Sequence, residues 1–340
     1  MSERRPRFWL LDSGFLGFFR GRSSRPPDAT DSPDVTSYYD LPVLKKPVWH
    51  WEVWLYFFLG GIAAGSYVVA SLATLFGGPR ARLTERTGYV LSFLVLLTCP
   101  LLLIKDLGRP RLFLNMLRVF KPSSPMSMGV WSLVAFSGFS ALAFLREVLL
   151  AVGGPLAALG RRIPQRTLAP LGAGGAGFLA SYTGVLLSVT SVPLWSKSFL
   201  LAPSFLAASL SAAISALTLI LSAQKPFPRD DLARLEPLKH AALIAEAAAL
   251  AGYLAMEGEA ATPLLTPNGY GRQFLGGAVG LGILVPLVLG QTRLARGRGV
   301  AIPALLSLLG SLALRYSVVM AGHLSAGDAK GYLRWTREER

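Results

Sequence analysis

Apolar residues run through this chain in long blocks rather than in strict alternation with polar ones. Eight sparsely charged stretches lie near residues 53–76, 88–104, 127–150, 168–190, 199–222, 238–256, 273–291 and 300–322. A helix needs about 20 residues to cross ~30 Å of hydrocarbon, and each stretch is of that order. Each is too long for a buried strand, and in lipid every backbone group must be satisfied within its own segment, so the blocks predict helices. The expected fold is therefore an all-α integral membrane protein, a bundle of eight transmembrane helices. Pro100, Pro203, Pro286 and the pairs Gly60-Gly61 and Gly174-Gly175 fall inside the stretches, where membrane helices tolerate them. Gly61 and Gly65, with the glycines of 172–177 and 276–282, predict sites of close helix contact.

The flanks read differently. Residues 1–50 are polar and proline-rich, with an aromatic island between Phe8 and Phe19 and arginines on both sides of it. Asp12 interrupts the apolar core and no small-residue cleavage site follows, so this is not a secretory signal; Arg4-Arg5 lacks the apolar stretch of a twin-arginine signal. The expected organisation is a surface-lying or partner-bound extension over 1–50, a membrane domain over 51–325 and a tail over 326–340.

Composition agrees with the blocks. Hydrophobic residues make up 52% and charged residues 16% of the sequence, against roughly 25% charged in soluble domains. The net charge of +15 would suggest nucleic acid in a soluble protein. Here the basic residues sit in short loops with no basic-aromatic stripe, which points to membrane topology and excludes nucleic acid. Lys and Arg are more numerous in the loops after stretches one, three, five and seven than in the others. By the positive-inside rule that places the protein in the plasma (inner) membrane with both termini outside, although the basic N-terminal tail argues the other way.

Ligand arithmetic narrows the chemistry. There is one cysteine, Cys99, and there are three histidines, His50, His240 and His323. An iron–sulfur cluster takes about four ligands, and no haem-attachment motif is present. No haem or cluster is expected in this polypeptide, and an electron handled here must ride on a diffusible organic carrier or on a partner subunit.

Polar groups at membrane depth are costly and suggest function by default. By the predicted topology several meet on the outer side: Trp49-His50-Trp51-Glu52, Lys105-Asp106 through Arg109 and Arg111, Ser124 through Trp131, Tyr182 and His323. Glu52 is the candidate proton acceptor, and Asp106 with Arg109 a candidate architectural pair or ligand contact. Tyr182 is either a site residue or a core tyrosine bonded to a backbone carbonyl. Trp49, Trp51 and Trp54 read as interface-belt residues, and Cys99 as a small core residue. Glu246, near the midplane, is expected to pair with Arg315 or a neighbouring hydroxyl, or else to mark a proton path.

Pro42-Val-Leu-Lys-Lys-Pro-Val-Trp49, Tyr56-Phe-Phe-x-Gly-Gly61, Asp106-Leu-Gly-Arg-Pro110, Phe113 to Phe120, Ser124-Pro-Met-Ser127 and Ser181-Tyr-Thr-Gly184 together resemble the NrfD/polysulfide-reductase membrane-subunit family, over roughly residues 40–325. The resemblance implies a subunit that binds quinone or quinol, menaquinone or ubiquinone, and holds no metal centre of its own. It also implies a ferredoxin-type iron–sulfur partner and a molybdopterin catalytic subunit. The family's quinone site maps to His50 or Glu52 at the start of the first helix and to Tyr182 on the fourth. Two other readings compete: a secondary transporter and a purely structural membrane anchor. Against transport, the polar residues gather at one face and no matched pair of broken helices is present.

Overall fold

The computed structural model describes Leu44, residues 47–196, 198–293 and 297–327. The protein divides into two units, Met1–Leu41 and Pro42–Arg340. The expected N-terminal extension up to residue 43 and the tail beyond 327 lie outside the described residues.

Among the described residues eight helices are long and apolar enough to cross a membrane: α1 Trp51–Gly77, α2 Pro79–Asp106, α3 Pro125–Val152, α4 Gln165–Ser188, α5 Leu201–Ser222, α6 Arg229–Leu265, α7 Arg272–Gly290 and α8 Gly297–Ser325. Among the described residues there is no strand, and the protein is a multi-pass, all-α membrane protein. Two helices form its centre. α1 and α5 are mostly buried, whereas α2, α3, α6 and α7 are largely exposed on the outside. α1 packs on α2, α4, α5 and α8, and α5 packs also on α4, α6 and α8.

Small residues make that centre possible. Water-driven burial is missing between helices in lipid, so close van der Waals contact has to hold them. α1 brings Gly60, Gly61, Ala63, Ala64 and Gly65, all buried. α5 answers with Ala207, Ala208, Ser209, Ala212 and Ala213. A Cβ on Gly65 would stand 2.5 Å from the Ser209 carbonyl oxygen and 2.7 Å from Ala213 Cβ. The α7–α8 crossing is as tight, since a Cβ on Gly282 would meet Gly310 Cα at 2.6 Å. By contrast Gly174, Gly177 and Gly276, expected at contacts, have nothing within 4 Å of such a Cβ.

Two helices begin earlier than the apolar blocks. α2 is helical from Arg82 rather than 88, and α6 from Arg229 rather than 238. Both extensions are charged, and both find partners on other helices. Asp230 and Asp231 stand in the first turn of α6, where the helix dipole favours carboxylates. Asp231 Oδ1 accepts from Thr84 Oγ1 at 2.7 Å and from Thr84 N at 3.2 Å. α2 breaks at Leu97 into Arg82–Leu96 and Thr98–Asp106, because Pro100 has no N–H to return to the preceding turn. The starts of α1, α3, α5 and α7 share one face of the bundle with the ends of α2, α4, α6 and α8; we call it the Trp51 face and its opposite the Arg82 face.

Candidate functional site

The first turn of α1 places the candidate base. Glu52 is 8% exposed at a helix start, where exposed N–H groups favour a carboxylate. Its Oε1 lies 3.3 Å from Lys105 Nζ, which comes from the last turn of α2. Lys105 Nζ also sits 4.1 Å from the centre of the Trp51 ring, a cation–π contact. One turn deeper, on the same face of α1 as Glu52 by i,i+4 spacing, Tyr56 is 3% exposed. Tyr56 is in electrostatic range of both Cys99 and Tyr182.

Tyr182 closes this group from α4. Its hydroxyl donates to the Pro125 carbonyl at 2.6 Å, and its ring stacks on Phe178 with centroids 6.1 Å apart. The start of α3 can approach so closely because position 129 is glycine; a Cβ there would lie 2.3 Å from three atoms of the Tyr182 phenol. The hydroxyl's one proton is thus committed to Pro125, while its oxygen already lies within reach of the Gly129 backbone N–H and has one lone pair left to accept. Glu52, Lys105, Tyr56 and Tyr182 therefore gather where α1, the end of α2, the start of α3 and α4 converge.

His50 and the loop residues stand further out. His50 is exposed at the N-cap of α1, in electrostatic range of Asp106 and of His323 at the end of α8. Asp106 is half-buried, and its electrostatic neighbours are Glu52 and His50. The expected Asp106–Arg109 pair is corrected here: among the described residues the ion pairs include neither side chain. Such a pair needs both residues on one helical face, but α2 ends at Asp106 and Gly108 turns the backbone with φ 68°, leaving Arg109 exposed.

The tryptophans expected at an interface belt are partly structural. Trp49 stacks on Trp195 with centroids 5.3 Å apart, and Trp54 meets Tyr316 edge-on at 5.5 Å. Trp195 Nε1 donates to the Val318 carbonyl at 2.9 Å, in a slot that Gly322 opens on α8. Tyr316 in turn meets Tyr270, from the turn between α6 and α7, at 5.7 Å. Burial pushes the Tyr270 hydroxyl up to about 12, so it stays protonated at neutral pH.

At the midplane Glu246 takes the second of its expected partners, a neighbouring hydroxyl, and not Arg315. Glu246 and Arg315 are 3% and 1% exposed, yet no direct ion pair joins them among the described residues. Ser211 Oγ donates to Glu246 Oε2 at 2.5 Å. Arg315 donates to Ser311 Oγ at 2.7 Å, Ser209 Oγ at 3.0 Å, the Phe205 carbonyl at 3.2 Å and the Ser311 carbonyl at 3.3 Å. The reason is topological. α5 packs against both α6 and α8, so each charge meets serines of α5 before it can reach the other. Cys99 is fully buried and lies near Gly60.

Sequence reasoning overlooked Tyr56, Lys105 as the partner of Glu52, Trp195, and a charged ring at the Arg82 face. In that ring Arg82 reaches Glu147 at 2.6 Å and Glu85 at 2.8 Å, and Arg146 reaches Glu147 at 2.7 Å and Glu85 at 3.4 Å. The signal for Tyr56 was present, four residues after Glu52. The two cavities described both lie away from Glu52 and Tyr182. One, of about 10 Å³, touches Lys239, His240 and Pro286 and has room for about one water. The other is an open groove between α2 and α3. Among the described residues no group of three or more His, Cys, Asp or Glu could hold a metal ion.

Relatives of known identity bear on this cluster. The family model described as Polysulphide reductase, NrfD matches residues 42–326. The C subunit of polysulfide reductase from Wolinella succinogenes is 32% identical over 316 residues, covering 82% of the present sequence and 96% of that protein. The family match takes in every helix from α1 to α8, together with the Glu52, Lys105 and Tyr182 positions, and the protein belongs to the NrfD polysulphide reductase family.

Proposed function

We propose that this protein is the quinone-reactive membrane subunit of an oxidoreductase complex. It exchanges electrons between a menaquinone or ubiquinone pool and a ferredoxin-type iron–sulfur subunit, which in turn serves a molybdopterin catalytic subunit. The Trp51 face points outward from the plasma membrane. The observation that carries this reading is the buried acceptor set on that face: the Glu52 carboxylate and, on the facing helix, a Tyr182 oxygen whose proton is already given to Pro125. Acceptors suit the two hydroxyl groups of a quinol. With a single cysteine, the subunit hands the electrons on to its partner.

The chemistry asked of the residues is proton handling. Oxidation of a quinol releases two protons and two electrons. Glu52 takes a proton as general base, a role worth about 10²–10⁴ in rate. Lys105 pairs with the carboxylate between turnovers, and its side chain, 58% exposed, is free to swing aside when a head group enters. Tyr182 accepts a hydrogen bond from one quinol hydroxyl and fixes the ring against α4. His50 and Asp106, nearer water, relay the first proton outward, which frees Glu52 to take the second and pass it along the same way. Arg109, exposed beyond them, lies on the surface offered to the partner.

The test uses the complex purified through a tag on this subunit. A quinol analogue should quench intrinsic fluorescence and compete with quinol, and Tyr182→Phe combined with Glu52→Gln should abolish both effects while the complex still assembles. Undiminished quinol oxidation by the assembled double variant refutes the assignment. An intact wild-type complex that neither binds nor oxidises quinol leaves the structural-anchor reading in its place.

A further inference from the structure

The groove between α2 and α3 opens on the outer side of the bundle, measures about 350 Å³ and is lined by Arg86, Val90, Phe144, Glu147, Val148 and Val152 among others. Its two walls belong to helices that are largely exposed on the outside of the bundle. Phe144, on its wall, stacks on Phe93 of α2 with centroids 4.6 Å apart. From Phe144 to Val152 the wall rises about 12 Å at 1.5 Å per residue, with an apolar floor and a charged rim.

The charges at that rim are unevenly used. Arg82, Glu85, Arg146 and Glu147 neutralise one another in the closed ring. Arg86 follows Arg82 by one turn, is exposed, and has no ion-pair or hydrogen-bond partner among the described residues. The short helix Gly154–Arg162, with Arg161 and Arg162 in its last turn, packs against the same end of α3. The groove thus offers a cation without an anion, while both nearby carboxylates are already paired.

We propose that this groove binds an anionic phospholipid, its phosphate on Arg86 and one acyl tail along Val90, Val148 and Phe144. A zwitterionic head group fits less well, because neither Glu85 nor Glu147 is available to receive its ammonium. Juxtamembrane basic residues attract anionic lipid by about 1 kcal/mol each, so removing Arg86 should weaken binding roughly fivefold.

The test is independent of quinone chemistry. The purified complex is placed in nanodiscs of phosphatidylcholine alone, phosphatidylcholine with phosphatidylglycerol, or phosphatidylcholine with inorganic phosphate, and its thermal midpoint and retained lipid are measured. Phosphatidylglycerol should raise the midpoint of the wild type and be retained after delipidation, and inorganic phosphate should do neither. Arg86→Gln should lose about four-fifths of the retention, and Val148→Trp, which fills the groove and leaves Arg86 in place, should lose it as well. Equal retention of phosphatidylcholine, stabilisation by phosphate alone, unchanged retention in either variant, or a polypeptide protecting the groove in the purified complex would each overturn the assignment.

Discussion

Glu52→Gln separates a catalytic carboxylate from a structural one. The substitution keeps the shape and removes the charge. Its structural cost can be bounded from the pair it breaks. Glu52 Oε1 and Lys105 Nζ are 3.3 Å apart, with the lysine side chain 58% exposed. A pair with one partner in solvent contributes at most about 1 kcal/mol, so the variant should assemble and melt within a few degrees of the parent. Loss of a general base should instead lower quinol oxidation by about 10² or more. Lys105→Gln is the matched control, breaking the same ion pair and leaving the carboxylate. If Glu52 acts as base, Lys105→Gln stays within about fivefold of the parent while Glu52→Gln falls at least a hundredfold, measured as steady-state quinol oxidation by the purified complex. If the pair matters only for architecture, the two variants fall together. Equal effects, or a Glu52→Gln complex that keeps its turnover, would refute the reasoning.

Other outcomes follow from the packing. Gly65→Ala drives a methyl into the backbone of Ser209 and should destabilise the bundle by about 1–3 kcal/mol, seen as a lower melting temperature in detergent. Gly276→Ala, with nothing within 4 Å, should melt like the parent. Arg315→Met removes four donations to α5 and α8, and at about 0.6 kcal/mol for each such bond in a membrane it should cost about 2 kcal/mol. Glu246→Gln keeps an oxygen for Ser211 and should preserve both stability and quinol turnover; normal assembly with lost turnover would instead make Glu246 part of a proton path.

The eight spans were legible because hydrophobicity along the sequence is enough to place a helix in lipid, and the family resemblance rested on contiguous motifs. Helix ends were less so. Arg82 and Asp231 are strongly polar, and partners that help them continue a helix, Glu147 and Thr84, lie 65 and 147 residues away. The site failed to read for a related reason, namely that hydropathy sets depth but not rotation about a helix axis or order around the bundle. Nothing local reveals that α5 stands between α6 and α8, so the sequence leaves Glu246 either Arg315 or a neighbouring hydroxyl, and the packing selects Ser211. For Tyr182 the expected bond to a backbone carbonyl is present, and what the sequence leaves open is that the carbonyl is that of Pro125. That commitment bears on the direction of the chemistry: with the Tyr182 donor engaged by Pro125 and Lys105 swinging aside as a head group enters, Tyr182 and Glu52 offer oxygens to a hydroxylic ligand and no hydrogens to a carbonyl. A quinol should therefore bind more tightly than the matching quinone, and Tyr182→Phe, which removes the accepting oxygen, should narrow that difference. Comparing the two dissociation constants by fluorescence in parent and variant complexes decides it, and a parent that prefers the quinone would contradict the acceptor argument at its root.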